Sequence, residues 1–273
     1  DAPLINLYHP DDILAWDSNG PRTVREFVSD VSCLADALPE RPALLNLLSN
    51  RYEFLVGFGA AMLRQQVTLL PQSRAPETLR LVAKDYKESY CLTNTGESIE
   101  GIDCVTLPLL AGTAYWPGKI PGISLSQVVA IAFTSGSTAK PMPNHKTWGA
   151  LVSVAHATAS RFGVKAGNPN GVVATVPHQH MFGLVASVML PIHHGLVMHP
   201  GRPLFPEDVC TALEEMPGKS IVVTTPLHLR TCVRADVKFP SLEMILSATS
   251  PLTRDLASQA EQRFLAPARE IFG

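Results

Sequence analysis

The sequence is poor in charge and has no long run of one residue class. Charged residues make up 17% of its 273 residues and the formal net charge is -2, so no global field draws the chain onto nucleic acid or an anionic membrane. No run of lysine and arginine supplies a local basic patch. The longest apolar stretches, such as 221–225 with its flanks, fall well short of the roughly 20 residues that span a bilayer. We therefore predict no nucleic-acid partner and no membrane span.

Cysteines are few, and none forms a CxxC pair. The five are odd in number and widely scattered, at Cys33, Cys91, Cys104, Cys210 and Cys232. This spacing favours reduced core thiols over a disulfide framework or a zinc site. No basic-then-apolar signal segment opens the chain, although a start without methionine leaves a removed targeting segment possible. We predict a cytoplasmic protein.

Signatures of two common catalytic loops are also absent. The sequence contains neither the GxxxxGK[ST] phosphate loop nor the GxSxG nucleophile elbow. An HxH pair, His178 and His180, has no Asp, Glu or Cys within ten residues to complete a set of metal ligands. We predict no metal site in this chain. His228, Arg230 and Arg234 fit a solvated helix face better than an anion site, and Trp148 fits the core.

What the sequence does have is a regular alternation of short apolar strands with amphipathic helices. Strand-like segments follow helical ones from residue 24 to the end, with a proline- and glycine-rich lapse near 107–126. Each parallel connection needs a covering crossover, so this order predicts an α/β fold. We expect two similar subdomains of largely parallel sheet flanked by helices, 1–110 and 127–273, joined by the connecting segment 111–126.

Unusual polar loops follow several of the predicted strands. They lie at the carboxyl ends of the strands, which is where open parallel sheets bind ligands. "TSGSTAKPMP" comes directly after the strand 128–133 and is expected to lead into a helix from about Lys146 to Phe162. Its hydroxyls, its backbone N–H groups around Gly136 and the ammonium of Lys140 could hydrogen-bond several phosphate oxygens. By composition alone, a loop of this kind is more often a plain polar turn.

Several loops together resemble the motifs of the adenylate-forming superfamily, which includes the acyl-CoA and aryl-CoA synthetases. "FTSGSTAKP" is similar to its [ST]SG[ST]TGxPKG signature, and "VPHQHMFGL" to its PxxHxxG loop. "VVTTPLHL", "LSATSPL" and "EIFG" resemble its later motifs in the same order along the chain. The resemblance covers nearly the whole chain, although only the first motif is specific by itself. It implies the large amino-terminal domain of such an enzyme.

The implied chemistry is carboxylate activation with ATP. The product is an acyl-adenylate, whose acyl group then passes to the thiol of CoA or of a carrier protein's phosphopantetheine. By this resemblance, the ATP phosphates are held by Thr134, Ser135, Gly136, Ser137, Thr138 and Lys140. The acid and the adenine are held by His180, Gly183, Ser247, Ala248, Thr249, Ser250, Pro251, Phe272 and Gly273, with Phe272 stacking on adenine. Mg²⁺ is the implied cofactor.

The sequence departs from these motifs in three ways. Ala139, Met142 and Pro143 stand where the superfamily has glycine, lysine and glycine, so a lysine is missing and the loop is stiffened. Ala248 and Thr249 replace paired glycines, which is expected to narrow or polarise the acyl pocket. The larger Thr249 and the polar His178 and His180 together favour a short or aromatic acid over a long fatty chain. The expected catalytic lysine, and a glutamate that helps bind magnesium, fall beyond Gly273.

We therefore expect the amino-terminal portion of an acid–thiol ligase, with a carboxy-terminal domain missing and weak or no activity alone. The alternative is a non-catalytic binding or interaction module that keeps the fold but no longer binds the phosphates in the way an active enzyme does.

Overall fold

The computed structural model describes residues 1–6, 9–94, 96, 98–108, 110, 116–134, 142–165 and 170–271. The chain divides into two compact units, Asp1–Ile5 with Val24–Ser153 and Asn6–Thr23 with Val154–Gly273. Each unit contains a largely parallel sheet with helices packed on it. The predicted α/β class, with parallel sheets flanked by helices, is confirmed.

The strands in chain order are β1 (Ala2–Pro3), β2 (Ile13–Asp17), β3 (Gly20–Thr23), β4 (Ala43–Asn46), β5 (Val67–Leu70), β6 (Tyr90–Thr93), β7 (Cys104–Thr106), β8 (Gly122–Ile123), β9 (Val128–Thr134), β10 (Met142–Thr147), β11 (Gly171–Ala174), β12 (Val197–Met198), β13 (Ser220–Thr224), β14 (Met244–Ser247) and β15 (Ala268–Glu270).

The helices are α1 (Val24–Ala37), α2 (Arg51–Leu63), α3 (Pro76–Asp85), α4 (Trp148–Phe162), α5 (Met181–Leu184), α6 (Leu190–His194), α7 (Pro206–Glu215), α8 (Pro226–Arg234) and α9 (Arg254–Phe264). A π-helical segment, Val185–Met189, joins α5 to α6 without a break.

The sheet of the first unit has the strand order β10-β9-β5-β4-β6-β7. All neighbours are parallel except β9 and β10, which form an antiparallel pair. The residues of β4 and β6 are buried throughout, as expected for central parallel strands covered on both faces. Helix α2 is buried on nearly every side, and its first turn is capped by the Asn50 side chain, which accepts from the Tyr52 and Glu53 backbone N–H groups.

In the second unit, the strand order is β15-β14-β13-β11-β12-β2-β3. The strands from β15 to β2 are parallel, and β3 closes one edge as an antiparallel hairpin with β2. Gly20 enters β3 at a φ of 98°, a backbone conformation that favours glycine. Two apolar clusters fill the two faces of the sheet, one around Val173 and Val222 and the other around Val172 and Val223.

The predicted strand 128–133 is present as β9, which extends one residue further to Thr134. The prediction that Met142 and Pro143 belong to the loop is wrong, because both lie in strand β10. That strand is an edge strand with exposed residues, where proline is tolerated and no apolar pattern is needed. The helix predicted from Lys146 consequently begins at Trp148, whose side chain is fully buried as predicted.

The two compact units have different bounds from the predicted subdomains. Strand β9 belongs to the first unit because it pairs in parallel with β5, and residues 6–23 join the second unit through β2. The strands that flank the predicted phosphate loop are therefore in the first unit, not with residues 154–273. The predicted division into subdomains 1–110 and 127–273, with the connecting segment 111–126, stays a prediction.

All five cysteines lie among the described residues, and none forms a disulfide. Cys91, Cys210 and Cys232 are buried, Cys104 is half-buried and Cys33 is exposed, so the prediction of core thiols is wrong for Cys33. Among the helices that the structure describes, none combines the length and apolarity needed to cross a bilayer.

Candidate functional site

The carboxyl edge of the second unit's sheet carries Ser247, one of the predicted site residues. Thr224, at the end of β13, pairs with Ser247, at the end of β14, which pairs in turn with Glu270 of β15. The ladder continues past the last strand, where the Ile271 N–H donates to the Ser247 carbonyl at 2.8 Å. Three of the loops singled out in the sequence therefore leave the same edge of one sheet.

Two threonines and a histidine form a hydrogen-bonded group at this edge. The hydroxyl oxygens of Thr175 and Thr224 lie 2.9 Å apart, and Thr175 Oγ1 is 3.1 Å from His228 Nδ1 on helix α8. Burial, and secondly the charge of Arg202, lower the pKa of His228. A neutral imidazole at neutral pH is therefore favoured here.

Sequence reasoning missed this group. His228 was assigned to a solvated helix face, which holds for the exposed Arg230 and Arg234 but not for the half-buried His228. The contact joins residues 53 positions apart and depends on the register of β11 and β13, which the local pattern does not reveal.

Ser247 is fully buried, and its hydroxyl has no hydrogen-bond partner among the described residues. A buried hydroxyl left unpaired is destabilising by about 1–3 kcal/mol. Native structures carry few such groups, and one at a predicted ligand edge is a candidate ligand contact.

The segment "SATSPL" leaves β14 in a strained turn. Ala248 is buried and its N–H points to the Thr224 carbonyl at 3.4 Å, whereas Thr249, Ser250 and Pro251 are exposed. Thr249 has a φ of 81°, a region that β-branched residues rarely adopt. The resemblance gives glycine at this place, so the backbone keeps a conformation suited to glycine while the side chain has changed.

The segment "PHQHMFG" forms a tight turn into helix α5. His180 caps the helix with extended backbone angles, and the Leu184 N–H donates to its carbonyl at 2.8 Å. A Cβ atom at Gly183 would lie 2.0 Å from the Pro177 carbonyl oxygen, so only glycine fits there. His178 is buried and His180 half-buried, and the two lie in a turn and not on a strand.

The predicted phosphate loop falls mostly outside the described residues. Ser135, Gly136, Ser137, Thr138 and Lys140 lie there, as do Phe272 and Gly273. The structure defines the ends of the loop, since Thr134 of β9 pairs with Met142 of β10. The loop therefore connects two antiparallel neighbours instead of running directly into a helix.

A second histidine group lies between helices α4 and α6. His156 Nδ1 is 3.2 Å from His194 Nε2, and the ring centroids of His156 and His193 are 5.8 Å apart. Burial, followed by the nearby His156 and His194, lowers the pKa of His193 to about 4. His199, close to these residues in sequence, instead contacts Glu215 at 3.1 Å.

Within the part of the chain that the structure describes, no group of three or more His, Cys, Asp or Glu side chains is arranged to hold a metal ion. The two histidine neighbours His156 and His194 share a hydrogen bond, in which one ring nitrogen donates and the other accepts.

Comparison with known proteins gives three findings. The family model for "AMP-binding enzyme" matches residues 9–273. A 4-coumarate–CoA ligase from Halorhodospira halophila is 30% identical over 141 residues, which cover 51% of this chain and 34% of that protein. The chain thus matches about a third of the length of this curated relative.

The third finding is a likeness to solved structures. O-succinylbenzoate coenzyme A synthetase from Bacillus subtilis, in complex with AMP, superposes with a TM-score of 0.78 at 18% identity, covering 97% of this chain and 70% of that one. ATP-bound MatB from Rhodopseudomonas palustris gives a TM-score of 0.79 at 15% identity, covering 98% of this chain and 58% of that one. At these identities the likeness establishes the fold.

Proposed function

Because the chain belongs to the family of AMP-binding enzymes, whose model matches residues 9–273, we propose that it is part of a ligase that activates a carboxylic acid with ATP. This membership confirms the resemblance to adenylate-forming enzymes drawn from the motifs. In the proposed reaction a carboxylate oxygen of an aryl or acyl acid bonds to the α-phosphorus of ATP, and pyrophosphate leaves. The acyl-adenylate then reacts with a thiol, whose sulfur bonds to the acyl carbon while AMP leaves and the thiol proton is lost.

The observation that carries the proposal is the match over nearly the whole chain, within which the predicted loops follow neighbouring parallel strands. Ligands of such sheets lie beyond the carboxyl ends of the strands. The segments at His180, at Ser247–Pro251 and at Ile271 all leave that edge in the second unit.

Charge is the main physical demand of the first step, because an anionic acid must approach a polyanionic triphosphate. We assign the β- and γ-phosphates to the hydroxyls of Thr134, Ser135, Ser137 and Thr138, to the Gly136 backbone and to the Lys140 ammonium. Fixed donors of this kind neutralise charge that develops on the leaving pyrophosphate.

For the acid and the adenine we assign the second unit's edge. His180 is half-buried directly before α5, and we assign its side chain to the carboxylate. Ser247 ends β14 and the exposed turn Thr249–Pro251 follows it at this edge of the sheet, and we assign polar contacts to the Ser247 hydroxyl and to the turn. Gly183 serves by letting the helix approach the Pro177 carbonyl, and Phe272 and Gly273 are assigned to the adenine by resemblance alone.

The second step needs a thiol acceptor, and the implied cofactor is magnesium. CoA or the phosphopantetheine of an acyl carrier protein would supply the thiol. Magnesium needs oxygen ligands, and the described residues offer no group of carboxylates arranged for it. The proposal therefore assigns no magnesium contact to those residues. A cytoplasmic location stays a prediction.

The test is ATP–pyrophosphate exchange by the full-length protein with a panel of short, aromatic and fatty acids. We expect exchange with at least one acid, and a fall of about 100-fold in Lys140→Ala, as when one electrostatic donor is removed from a transition state. Lys146→Ala is the matched control, because Lys146 is fixed in strand β10 opposite Ala130 and is expected to change exchange little.

Absence of exchange with every acid, combined with no ATP-dependent rise in melting temperature, would refute the ligase proposal. That result would favour the non-catalytic binding module. The reverse ranking of the two lysine variants would instead move the phosphate contact to Lys146.

A further inference from the structure

A groove of about 400 Å³ lies at the amino edge of the first unit's sheet. Arg41 lines it two residues before β4 begins, Ser89 one residue before β6, and Asp103 one residue before β7. The other wall is the last part of helix α3. The predicted phosphate loop follows β9 at the carboxyl end of that strand, so the groove is at the opposite edge of the same sheet.

The groove carries an excess of positive charge. Its cations are Arg41, Arg80, Lys84 and Lys87, and its acids are Glu100 and Asp103. Each acid is already engaged by an arginine. Arg41 Nη2 lies 2.6 Å from Asp103 Oδ2, and Arg80 Nη1 lies 3.4 Å from Glu100 Oε2.

The other two cations of the groove are lysines. Neither Lys84 nor Lys87 forms an ion pair with any carboxylate among the residues that the structure describes. Asp85 and Glu88 lie next to them in sequence but do not line the groove. Two unneutralised ammonium groups facing one concave surface match a ligand with two negative charges.

An unpaired hydroxyl lies in the same wall. Ser89 is only 6% exposed, and its Oγ atom has no hydrogen-bond partner within the described part of the chain. Buried polar atoms are almost always paired, so this hydroxyl indicates a missing acceptor. Lys84 lies at the end of helix α3, and Lys87 and Ser89 lie in the connection from α3 to β6, so one short segment brings all three to a groove of a size typical of small-molecule sites.

We propose that this groove binds a small phosphate-bearing dianion. A phosphate monoester carries between about -1.5 and -2 charges at neutral pH and three acceptor oxygens, which match two ammonium groups and one hydroxyl donor. Helix α3 ends here with its carbonyl groups, which are partially negative. The anion is therefore held by side chains, and both lysines are needed.

The experiment is a titration of the full chain with inorganic phosphate, followed by amide NMR at constant ionic strength kept with chloride. We expect saturable shifts of the Ser89, Gly101 and Ile102 amides, which report on this groove and not on the candidate phosphate loop. The double variant Lys84→Gln/Lys87→Gln should weaken binding at least about tenfold, and Ser89→Ala should weaken it less. Lys119→Gln, which removes an exposed lysine elsewhere in the first unit, should leave it unchanged.

Three results would overturn the proposal. They are shifts that rise linearly without saturation, equal affinity in the double lysine variant, and saturation confined to amides outside the groove. A parallel titration with succinate tests the chemistry. Equal or tighter binding of this dicarboxylate would refute phosphate as the ligand class.

Discussion

Two positions at the carboxyl edge of the second unit's sheet have a backbone geometry that suits glycine. One of them, position 183, is a glycine, and the other, position 249, is a threonine. Where the turn 177–180 packs against α5, Gly183 of that helix is required by distance, because a Cβ atom would lie 2.0 Å from the Pro177 carbonyl oxygen. In the turn after β14, Thr249 occupies a backbone conformation with a φ of 81° that suits glycine, yet carries a β-branched side chain.

The difference shows that these two demands for glycine are not equal. A side-chain atom cannot share space with a backbone carbonyl, and relief requires the helix itself to move. An unfavourable φ angle costs only a modest free energy, and the rest of the fold can supply it. Replacement is therefore tolerated at position 249, where the exposed side chain could alter what the turn contacts, but not at position 183.

The largest effect is expected from Gly183→Ala. The new methyl group overlaps the Pro177 carbonyl, so α5 must shift away from the turn, and we expect at least about 3 kcal/mol lower free energy of unfolding. Urea unfolding followed by circular dichroism measures it.

Gly122→Ala is the control for this variant, because the nearest atom to its Cβ would be Asp1 Cβ at 3.8 Å, an ordinary contact. An equal loss in both variants would show that close approach at Gly183 is not the cause.

The sequence predicts the buried strands and the loops after them better than it predicts contacts between distant residues. The apolar run 128–133 predicts strand β9 to within one residue, and the loops after such strands mark the edge proposed to bind the ligand. Which of His178 and His180 is buried, and that His228 contacts Thr175, follow only from long-range packing. Strand β10 left no signal, because an exposed edge strand needs no apolar alternation.

Helix α5, which contains Gly183, continues through the π-helical segment into α6, which ends with His193 and His194. A pH titration of stability tests the contribution of these two histidines. Burial lowers the pKa of His193 from 6.5 to about 4, so the fold favours the neutral ring. The neutral ring contributes fully to the free energy of unfolding above pH 6.5. The contribution is lost as the pH falls toward 4, because the unfolded chain binds a proton at a higher pH than the folded chain does. We expect a loss of about 3 kcal/mol across this window from His193, and His194, whose pKa is lowered by burial and His156, adds in the same direction.

Denaturant unfolding at several pH values checks this, with His193→Gln as the test variant. The variant should have a flatter stability profile between pH 6.5 and 4, whatever its stability at neutral pH. His145→Asn is the control, since His145 is exposed in strand β10 and hydrated whether or not the chain is folded. A profile of His193→Gln as steep as that of the parent would contradict the assignment.

Glu270→Gln tests what holds the strained turn in place. The Leu252 N–H donates to Glu270 Oε1 at 2.8 Å, which ties the end of "SATSPL" to β15. An amide oxygen still accepts, but the bond loses its charge, so we expect about 1 kcal/mol lower stability. Glu243→Gln, at an exposed position, should change nothing measurable by the same denaturant unfolding. Equal stability of Glu270→Gln and the parent would mean that the turn does not depend on this bond.

The smallest effect, and the only gain, is expected from Thr249→Gly. Glycine removes the cost of the left-handed backbone, about 1–2 kcal/mol, but returns part of it through the greater freedom of the unfolded chain. The net expectation is about 0.5–1 kcal/mol higher stability, measured as the change in unfolding midpoint. Ser250→Gly is the matched control in the same exposed turn, since Ser250 has no positive φ to relieve and should lose stability. If both variants lose stability, Thr249 contributes contacts that outweigh its strain, and the two turns then differ in packing as well as in backbone geometry.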